Sequence, residues 1–185
     1  YIYLDTDERR RFAQVSHEYL IEQLQYSNAL NAGTANGIGD ADAAVSTQAE
    51  LRFNHPVKEL MWQVSSGNGT NDGENVTSVQ DALLQLNGHD RFRRRVGKYF
   101  TNVQRYQHHE GKLPTAGVTG VHLYSFALKP EEHQPSGTCN FSRIDNAVLN
   151  LNYKGAATAY TLRVYAINYN VLRIMSGMGG LAYSN

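Results

Sequence analysis

The stretch Tyr160-Thr-Leu-Arg-Val-Tyr-Ala-Ile-Asn-Tyr-Asn-Val-Leu-Arg-Ile-Met175 is the longest run of strand-forming residues in the sequence, with no Gly or Pro inside it. Its β-branched and aromatic side chains favour a strand over the alternative, a buried helix. At a period of two the apolar phase shifts twice, and Asn168 and Asn170 fall opposite the apolar set in the middle. This pattern predicts an interior strand that is covered on both faces or bends between two packed sheets. The side chains expected to be buried are Leu162, Val164, Ile167 and Leu172.

The remaining apolar segments are shorter and supply the neighbours that an interior strand needs. A helix is predicted over residues 5–14, where Asp5 or Thr6 is a suitable N-cap, and helix-like spacing recurs over residues 99–106. Asn87-Gly88 is a strong signal for a hairpin turn. Residues 28–46 and 65–77 are rich in Gly, Asn and Asp, which predicts two long surface loops. Further strands are predicted at residues 1–4, 18–25, 49–53, 58–65, 82–86, 121–128 and 144–153.

These elements do not alternate regularly between strand and helix, and no internal repeat is present. They predict an all-β protein, an eight-stranded antiparallel jelly-roll sandwich with long loops and one or two short helices. A length of 185 residues fits a single domain over residues 1–185. Because Tyr1 begins inside a strand-like run, we expect the chain to be a fragment or the second half of a longer protein.

Composition gives no global argument for several classes of partner, although local charged patches remain possible. Seventeen basic residues balance seventeen acidic ones, so charge gives no argument for direct nucleic-acid binding or for an anionic membrane surface. No apolar run is long enough to predict a transmembrane segment. Cys139 is the single cysteine and cannot form an internal disulfide.

The motifs that could indicate a metal site or a catalytic site lack the arrangement of residues that such a site needs. Gln107-His108-His109-Glu110 resembles part of a metal site, but adjacent histidines on an extended chain point to opposite faces. His122 is the nearest third ligand, and we expect a surface or interface histidine pair with no metal. No general base accompanies Cys139. We therefore predict no catalytic residues, no cofactor and no enzymatic activity.

Two sets of residues are candidates for modification or contact. The acceptor pattern for N-linked glycans occurs at Asn68, Asn75 and Asn140. The densest basic run is Arg91–Arg95, and Arg93, Arg94 or Arg95 is a candidate subunit contact; the alternative is an ordinary solvated patch. The local acidic pairs that could face such a run are Asp72 with Glu74 and Glu131 with Glu132.

Several longer runs resemble the C-terminal half of one protein family, in order and over essentially the whole chain. The family is the major capsid protein of nucleocytoplasmic large DNA viruses, of the algal-virus and iridovirus type. The runs that carry the resemblance are DTDERRRFA (5–13), FNHPVKEL (53–60), LNGHDRF (86–92), YQHH (106–109), YSFALKP (124–130), QPSGTCNFSRID (134–145) and YNVLRIMSGMGGLAY (169–183).

The resemblance implies a double jelly-roll protein, of which this chain is similar to the second jelly roll. It implies homotrimers that form pseudo-hexagonal capsomers and contact neighbouring capsomers and minor capsid proteins. It also implies an icosahedral capsid shell in the virion, assembled in the host cytoplasm, with no catalytic residues. The alternative function for the same fold is a sandwich-type binding module, either lectin-like or host-receptor-binding.

Overall fold

The computed structural model of the protein describes residues 3–27, 30–31, 44–66, 79–111, 120–154 and 160–184. All strand pairs in this part of the chain are antiparallel. In chain order the strands are β1 His17–Tyr26, β2 Leu30–Asn31, β3 Ala44–Glu50, β4 Pro56–Ser66, β5 Val79–Leu86, β6 His89–Asp90, β7 Arg95–Val96, β8 Val121–Ser125, β9 Cys139–Asn140, β10 Ala147–Lys154, β11 Tyr160–Met175 and β12 Met178–Leu181.

Two sheets carry these strands. Sheet A has the order β1-β11-β4-β8, with β2 and β12 added to β11 and β9 added to β4. Sheet B has the order β3-β10-β5-β6, with β7 added to β5. Eight strands lie on these two main paths, and β11 is the last of the eight in the chain. It lies in the middle of sheet A, between β1 and β4. This is a jelly-roll sandwich, and the predicted fold is confirmed.

Strand β11 is the interior strand of sheet A. It pairs with β1 along residues 165–174 and with β4 along residues 160–168, on opposite edges. Both rows of its backbone hydrogen-bonding groups are therefore satisfied over the overlap. The prediction of an interior strand over Tyr160–Met175 is confirmed.

The predicted phase shift along β11 is wrong. The inward-facing side chains keep a period of two from Tyr160 to Asn170, so that Asn168 and Asn170 point into the molecule. Ile167 and Leu172, predicted to be buried, are partly exposed. The sequence pattern gave the wrong inward face because it places polar residues opposite the buried apolar ones, whereas these two asparagines are themselves buried. Asn170 donates through Nδ2 to the side-chain oxygen of Gln23 and to a backbone oxygen, which lowers the cost of its burial.

The core lies between the two inward faces. Sheet A contributes one apolar face of β4, and sheet B contributes Leu149 and Leu151 of β10. Trp62 packs edge-on against Phe100, with ring centroids 5.1 Å apart. The members from sheet A that are at most 1% exposed are Val57, Leu60, Trp62, Val64, Leu162, Val164 and Ala166.

Some element boundaries differ from the predictions. Strand β3 spans Ala44–Glu50 rather than residues 49–53, although Leu51 and Phe53 beyond it are buried. The first predicted loop therefore ends earlier, and Leu30–Asn31 within it pairs with β11. Residues 32–43 of that loop and residues 67–77 of the second lie outside the described residues. Residues 3–4 are not in a strand.

Local signals set the helices and the tight turn as predicted. Helix α1 spans Thr6–Gln14, and Oδ1 of its N-cap Asp5 accepts a hydrogen bond from the Thr6 amide at 2.8 Å. A π-helical turn at Tyr99–Val103 continues into helix α2 at Gln104–His108, and a 3₁₀ turn covers Phe141–Arg143. In the part of the chain that the structure describes, no helix is both long and apolar enough to cross a bilayer.

Candidate interaction surfaces

The outer face of sheet A carries a cluster of apolar side chains from β1 and β11 that are partly or fully exposed. Cross-strand partners on this face include Leu20 with Val171 and Leu24 with Ile167. Tyr26 pairs with Tyr165, and their ring centroids are 5.2 Å apart. Leu24 is 62% exposed, so this face is open to contact. Clustered exposed apolar side chains on a sheet face are typical of an association surface. We call this cluster the apolar face: Leu20, Leu24, Tyr26, Tyr165, Ile167 and Val171.

An ion pair lies at the centre of the apolar face. Nζ of Lys58 lies 2.6 Å from Oε1 of Glu22, and the Lys58 side chain is only 3% exposed. The same ammonium group lies 5.4 Å from the ring centroid of Tyr169, the cross-strand partner of Glu22. A lysine this deeply buried requires such partners, because an unpaired buried charge is costly.

The outer face of sheet B is polar, in contrast to that of sheet A. Asn150 donates to the side-chain oxygen of Gln85 at 3.1 Å, and Asn152 donates to Asp81 at 2.9 Å. Ser46 donates to Asn152 at 2.7 Å. Side-chain hydrogen bonds across the strands therefore organise this face. The two outer faces differ in chemistry, which makes sheet A the better candidate for a large contact.

The predicted contact residues Arg93, Arg94 and Arg95 lie at the β7 side of sheet B. Nη1 of Arg94 bonds to Oδ1 of Asp81 at 2.5 Å, so this arginine is neutralised within the chain. The Arg95 guanidinium lies 5.4 Å from the ring centroid of Tyr99. All three arginines are exposed. The structure leaves Arg93 and Arg95 with positive charge at the surface, and their role as a subunit contact stays a prediction.

The acidic residues proposed to face that run are engaged elsewhere. Glu132 bonds to Lys129 at 2.8 Å, and Glu131 bonds to His109 at 2.9 Å. Their negative charge is thus balanced by neighbours in the same chain. Asp72 and Glu74 lie outside the described residues.

The two adjacent histidines have different partners. His108 ends helix α2, so the chain is not extended there as the sequence argument assumed. Nδ1 of His108 lies 2.9 Å from the carbonyl oxygen of Leu128, whereas His109 contacts two carboxylates. His122 is buried against Trp62, with ring centroids 5.9 Å apart. No group of three or more His, Cys, Asp or Glu side chains among the described residues is arranged to hold a metal ion.

His109 joins two carboxylates from different parts of the chain. Its Nε2 lies 2.5 Å from Oε1 of Glu59, and its Nδ1 lies 2.9 Å from Oε1 of Glu131. The hydrogen bond with Glu59 is the largest influence on His109 and raises its pKa above 6.5, against the lowering effect of burial. Sequence analysis did not single out Glu59, because a Lys-Glu pair in an amphipathic strand is normally solvated. The available sequence signal for burial of Glu59 was the presence of apolar residues on both sides of Lys58-Glu59.

Of the three predicted glycan acceptors, the structure describes only Asn140. Asn68 and Asn75 lie outside the described residues. Asn140 is exposed, and its Oδ1 accepts a hydrogen bond from the Ser142 amide at 3.1 Å. The Ser142 hydroxyl in turn accepts from the His55 amide at 2.8 Å. Glycosylation at any of the three positions stays a prediction. Burial raises the pKa of the nearby Cys139 thiol, which disfavours the reactive thiolate.

Comparison with known proteins gives consistent results. The sequence model of a family described as large eukaryotic DNA virus major capsid protein matches residues 8–180. The major capsid protein of Pyramimonas orientalis virus is 55% identical over 205 aligned positions, which cover 100% of this chain and 48% of that protein. The major capsid protein of Paramecium bursaria Chlorella virus 1 is 45% identical, covering 100% of this chain and 53% of that protein.

A solved structure resembles the fold over the full chain. It is the crystal structure of VP54 of PBCV-1, fitted into a cryo-EM reconstruction of the virophage Sputnik. Its TM-score is 0.82 at 42% identity, covering 100% of this chain and 56% of that chain. The chain thus spans about half the length of the relatives it matches.

Proposed function

The chain belongs to the family of large eukaryotic DNA virus major capsid proteins, and from this premise we propose that it is a structural part of an icosahedral capsid. Residues 1–185 form one jelly-roll domain, the second of a tandem pair. Three copies of the two-jelly-roll protein assemble into a pseudo-hexagonal homotrimer. These capsomers contact neighbouring capsomers and minor capsid proteins in the virion shell, after assembly in the host cytoplasm.

The observation that carries this proposal is the apolar face of sheet A. A structural subunit must bury a broad surface against other protein, and the clustered side chains of β1 and β11 offer one. Such a surface suits a permanent interface more than reversible capture of a soluble ligand, because obligate interfaces are the more hydrophobic class. A subunit of this kind has no need of a catalytic centre, and we propose that the protein is not an enzyme.

The test measures assembly of the intact protein by light scattering after size-exclusion chromatography. Leu24→Asp places a charge on the apolar face, at a side chain exposed enough to leave the fold intact. We expect the unaltered protein to be a trimer and the Leu24→Asp protein to dissociate. Gln48→Asp is the matched control, since Gln48 lies opposite Asn150 on the polar outer face of sheet B.

The trimer proposal fails if the unaltered protein is monomeric at micromolar concentration. The assignment of the apolar face fails if Leu24→Asp and Gln48→Asp give the same trimers as the unaltered protein. Binding of a glycan or a receptor fragment by a stable monomer would instead support the lectin-like or host-receptor-binding alternative.

A further inference from the structure

Residues 126–138, which connect β8 to β9, lie against the part of sheet A that carries Lys58 and Glu59. We call this segment the strap. The backbone amides of Phe126 and Ala127 donate to the Lys58 carbonyl at 2.9 and 3.3 Å. Pro130 is buried, so the strap is packed at its centre as well as at its start. Its middle therefore rests on side-chain contacts as well as on backbone bonds.

Those side-chain contacts converge on the end of helix α2. His109 bonds through Nδ1 to Glu131 of the strap and through Nε2 to Glu59 of β4. The amide of Glu110 donates to Oε2 of Glu131 at 3.0 Å. The strap, the helix end and the sheet thus meet at one imidazole ring.

Both ring nitrogens of His109 face a carboxylate oxygen, which fixes the protonation state that this geometry needs. A carboxylate only accepts hydrogen bonds, so each nitrogen has to donate one. A neutral imidazole has one N–H, whereas the imidazolium has two. The observed arrangement is fully satisfied only when His109 carries both protons.

We propose that the strap is a pH-dependent clasp, closed on sheet A when His109 is doubly protonated and released from it when His109 loses a proton. Only one of the two His109 contacts is expected to open. The Glu59 side chain is 2% exposed and cannot exchange its partner for water, whereas the Glu131 side chain is 45% exposed and can. The remaining proton therefore stays on Nε2, bonded to Glu59. Nδ1 is left as an acceptor facing Glu131, and that contact opens.

The other charged groups near the His109 ring are paired with a neighbour or favour the charged form of Glu131. The backbone amide of Glu110 does most to lower the pKa of Glu131, the hydrogen bond with His109 comes next, and Arg105 of helix α2 has a smaller effect in the same direction. Within the strap, Lys129 is bonded to Glu132. Nδ1 of His133 lies 3.9 Å from Oε1 of Glu22, the partner of Lys58 in sheet A. This contact is a second attachment between the strap and sheet A.

The experiment follows amide hydrogen exchange in residues 126–138 between pH 5.5 and 9, after division by the intrinsic exchange rate at each pH. We expect protection in the strap to fall as the pH rises, by up to about tenfold for each unit that the pKa of His109 is raised. Nitrogen NMR of the His109 ring should show a proton on Nε2 and none on Nδ1 above that transition.

Two variants separate the clasp from a general effect of pH. Glu131→Gln supplies an amide that donates to the neutral Nδ1, so we expect its strap to stay protected at high pH. Glu132→Gln makes the same change of charge one residue away, outside the His109 contacts, and should keep the pH dependence of the unaltered protein. Protection that does not change with pH in the unaltered protein would overturn the proposal. So would an unchanged pH dependence in Glu131→Gln, or a proton on Nδ1 at high pH.

Discussion

Nε2 of His109 lies 2.5 Å from Oε1 of Glu59, although the two residues are 50 positions apart in the sequence. The contact joins the end of a helix to a carboxylate buried in the middle of a sheet. Because the pKa of His109 is raised, by the Glu59 hydrogen bond above all, the contact favours the protonated ring. The part of its contribution to stability that depends on the charge of the ring is therefore complete below pH 6.5 and is lost as the pH rises through the raised pKa.

His109→Gln is expected to lower the free energy of unfolding most at acidic pH. The pH-dependent part of the loss should be roughly 1.4 kcal/mol for each unit by which the pKa is raised, and this part should vanish at high pH. Urea unfolding from pH 5.5 to 9 measures it. His89→Gln replaces an exposed histidine on sheet B and is the control for the loss of an imidazole. A loss of unfolding free energy for His109→Gln that grows with pH would contradict the expected direction of this pH dependence.

His122 should act in the opposite direction. Burial lowers its pKa to about 4, against smaller opposing effects of hydrogen bonds with the backbone of Gly120 and Trp62. A depressed histidine pKa means that stability is lost as the pH falls below 6.5, by about 3 kcal/mol in total by pH 4. His122→Gln should remove this part of the acid sensitivity, measured as the slope of unfolding free energy between pH 6.5 and 4. An unchanged slope would show that other groups control acid unfolding.

Core packing gives a third prediction. Leu162 is fully buried on the inward face of β11, so Leu162→Ala should cost roughly 2–5 kcal/mol of unfolding free energy. Leu24→Ala removes the same atoms from an exposed position and should cost less than about 1 kcal/mol in the isolated chain. Thermal or urea unfolding compares the two variants. Equal losses would mean that the sandwich interior is not where the structure places it.

The turn between β5 and β6 gives a fourth prediction. Asn87 and Gly88 have φ angles of 51° and 78°, the left-handed pair that a two-residue hairpin turn requires. Gly88→Ala should cost about 1 kcal/mol, since a Cβ is disfavoured at that φ although no atom lies within 4 Å of it. Gly180→Ala, in β12 with equally open space, is the control and should be nearly neutral. A neutral result for Gly88→Ala would mean that the turn relaxes to another type.

The basic run gives a fifth prediction, which concerns assembly of the intact protein. Reversing Arg93, Arg94 and Arg95 to Glu should weaken trimers or make them more sensitive to salt, if the surface charge sets the register between subunits. The same reversal of Arg9, Arg10 and Arg11 in α1 makes an equal change of net charge and is the control. Sizing at several salt concentrations measures both variants. Trimers that match the unaltered protein at every salt concentration would leave the run as a solvated patch.

Local features were predictable from the sequence because they depend on neighbouring residues. The Asp5 N-cap, the Asn87-Gly88 turn and the strand over Tyr160–Met175 each follow from local conformational preferences. The jelly roll itself was predicted from the number and order of strands and from resemblance to a family. Element boundaries were less exact, as with β3, because pairing partners decide where a strand ends.

The sequence alone determined the class of fold and the position of its central strand. Tertiary structure alone decided which polar groups are buried and with whom. Asn168 and Asn170 were expected on a polar face, yet pairing with β1 and β4 turns that face inward. Glu59 and His109 are an unremarkable pair in sequence, and only the packing of α2 and the strap against sheet A brings them together. The reason is physical: the cost of burying a polar group depends on partners distant in the chain, which no local pattern encodes.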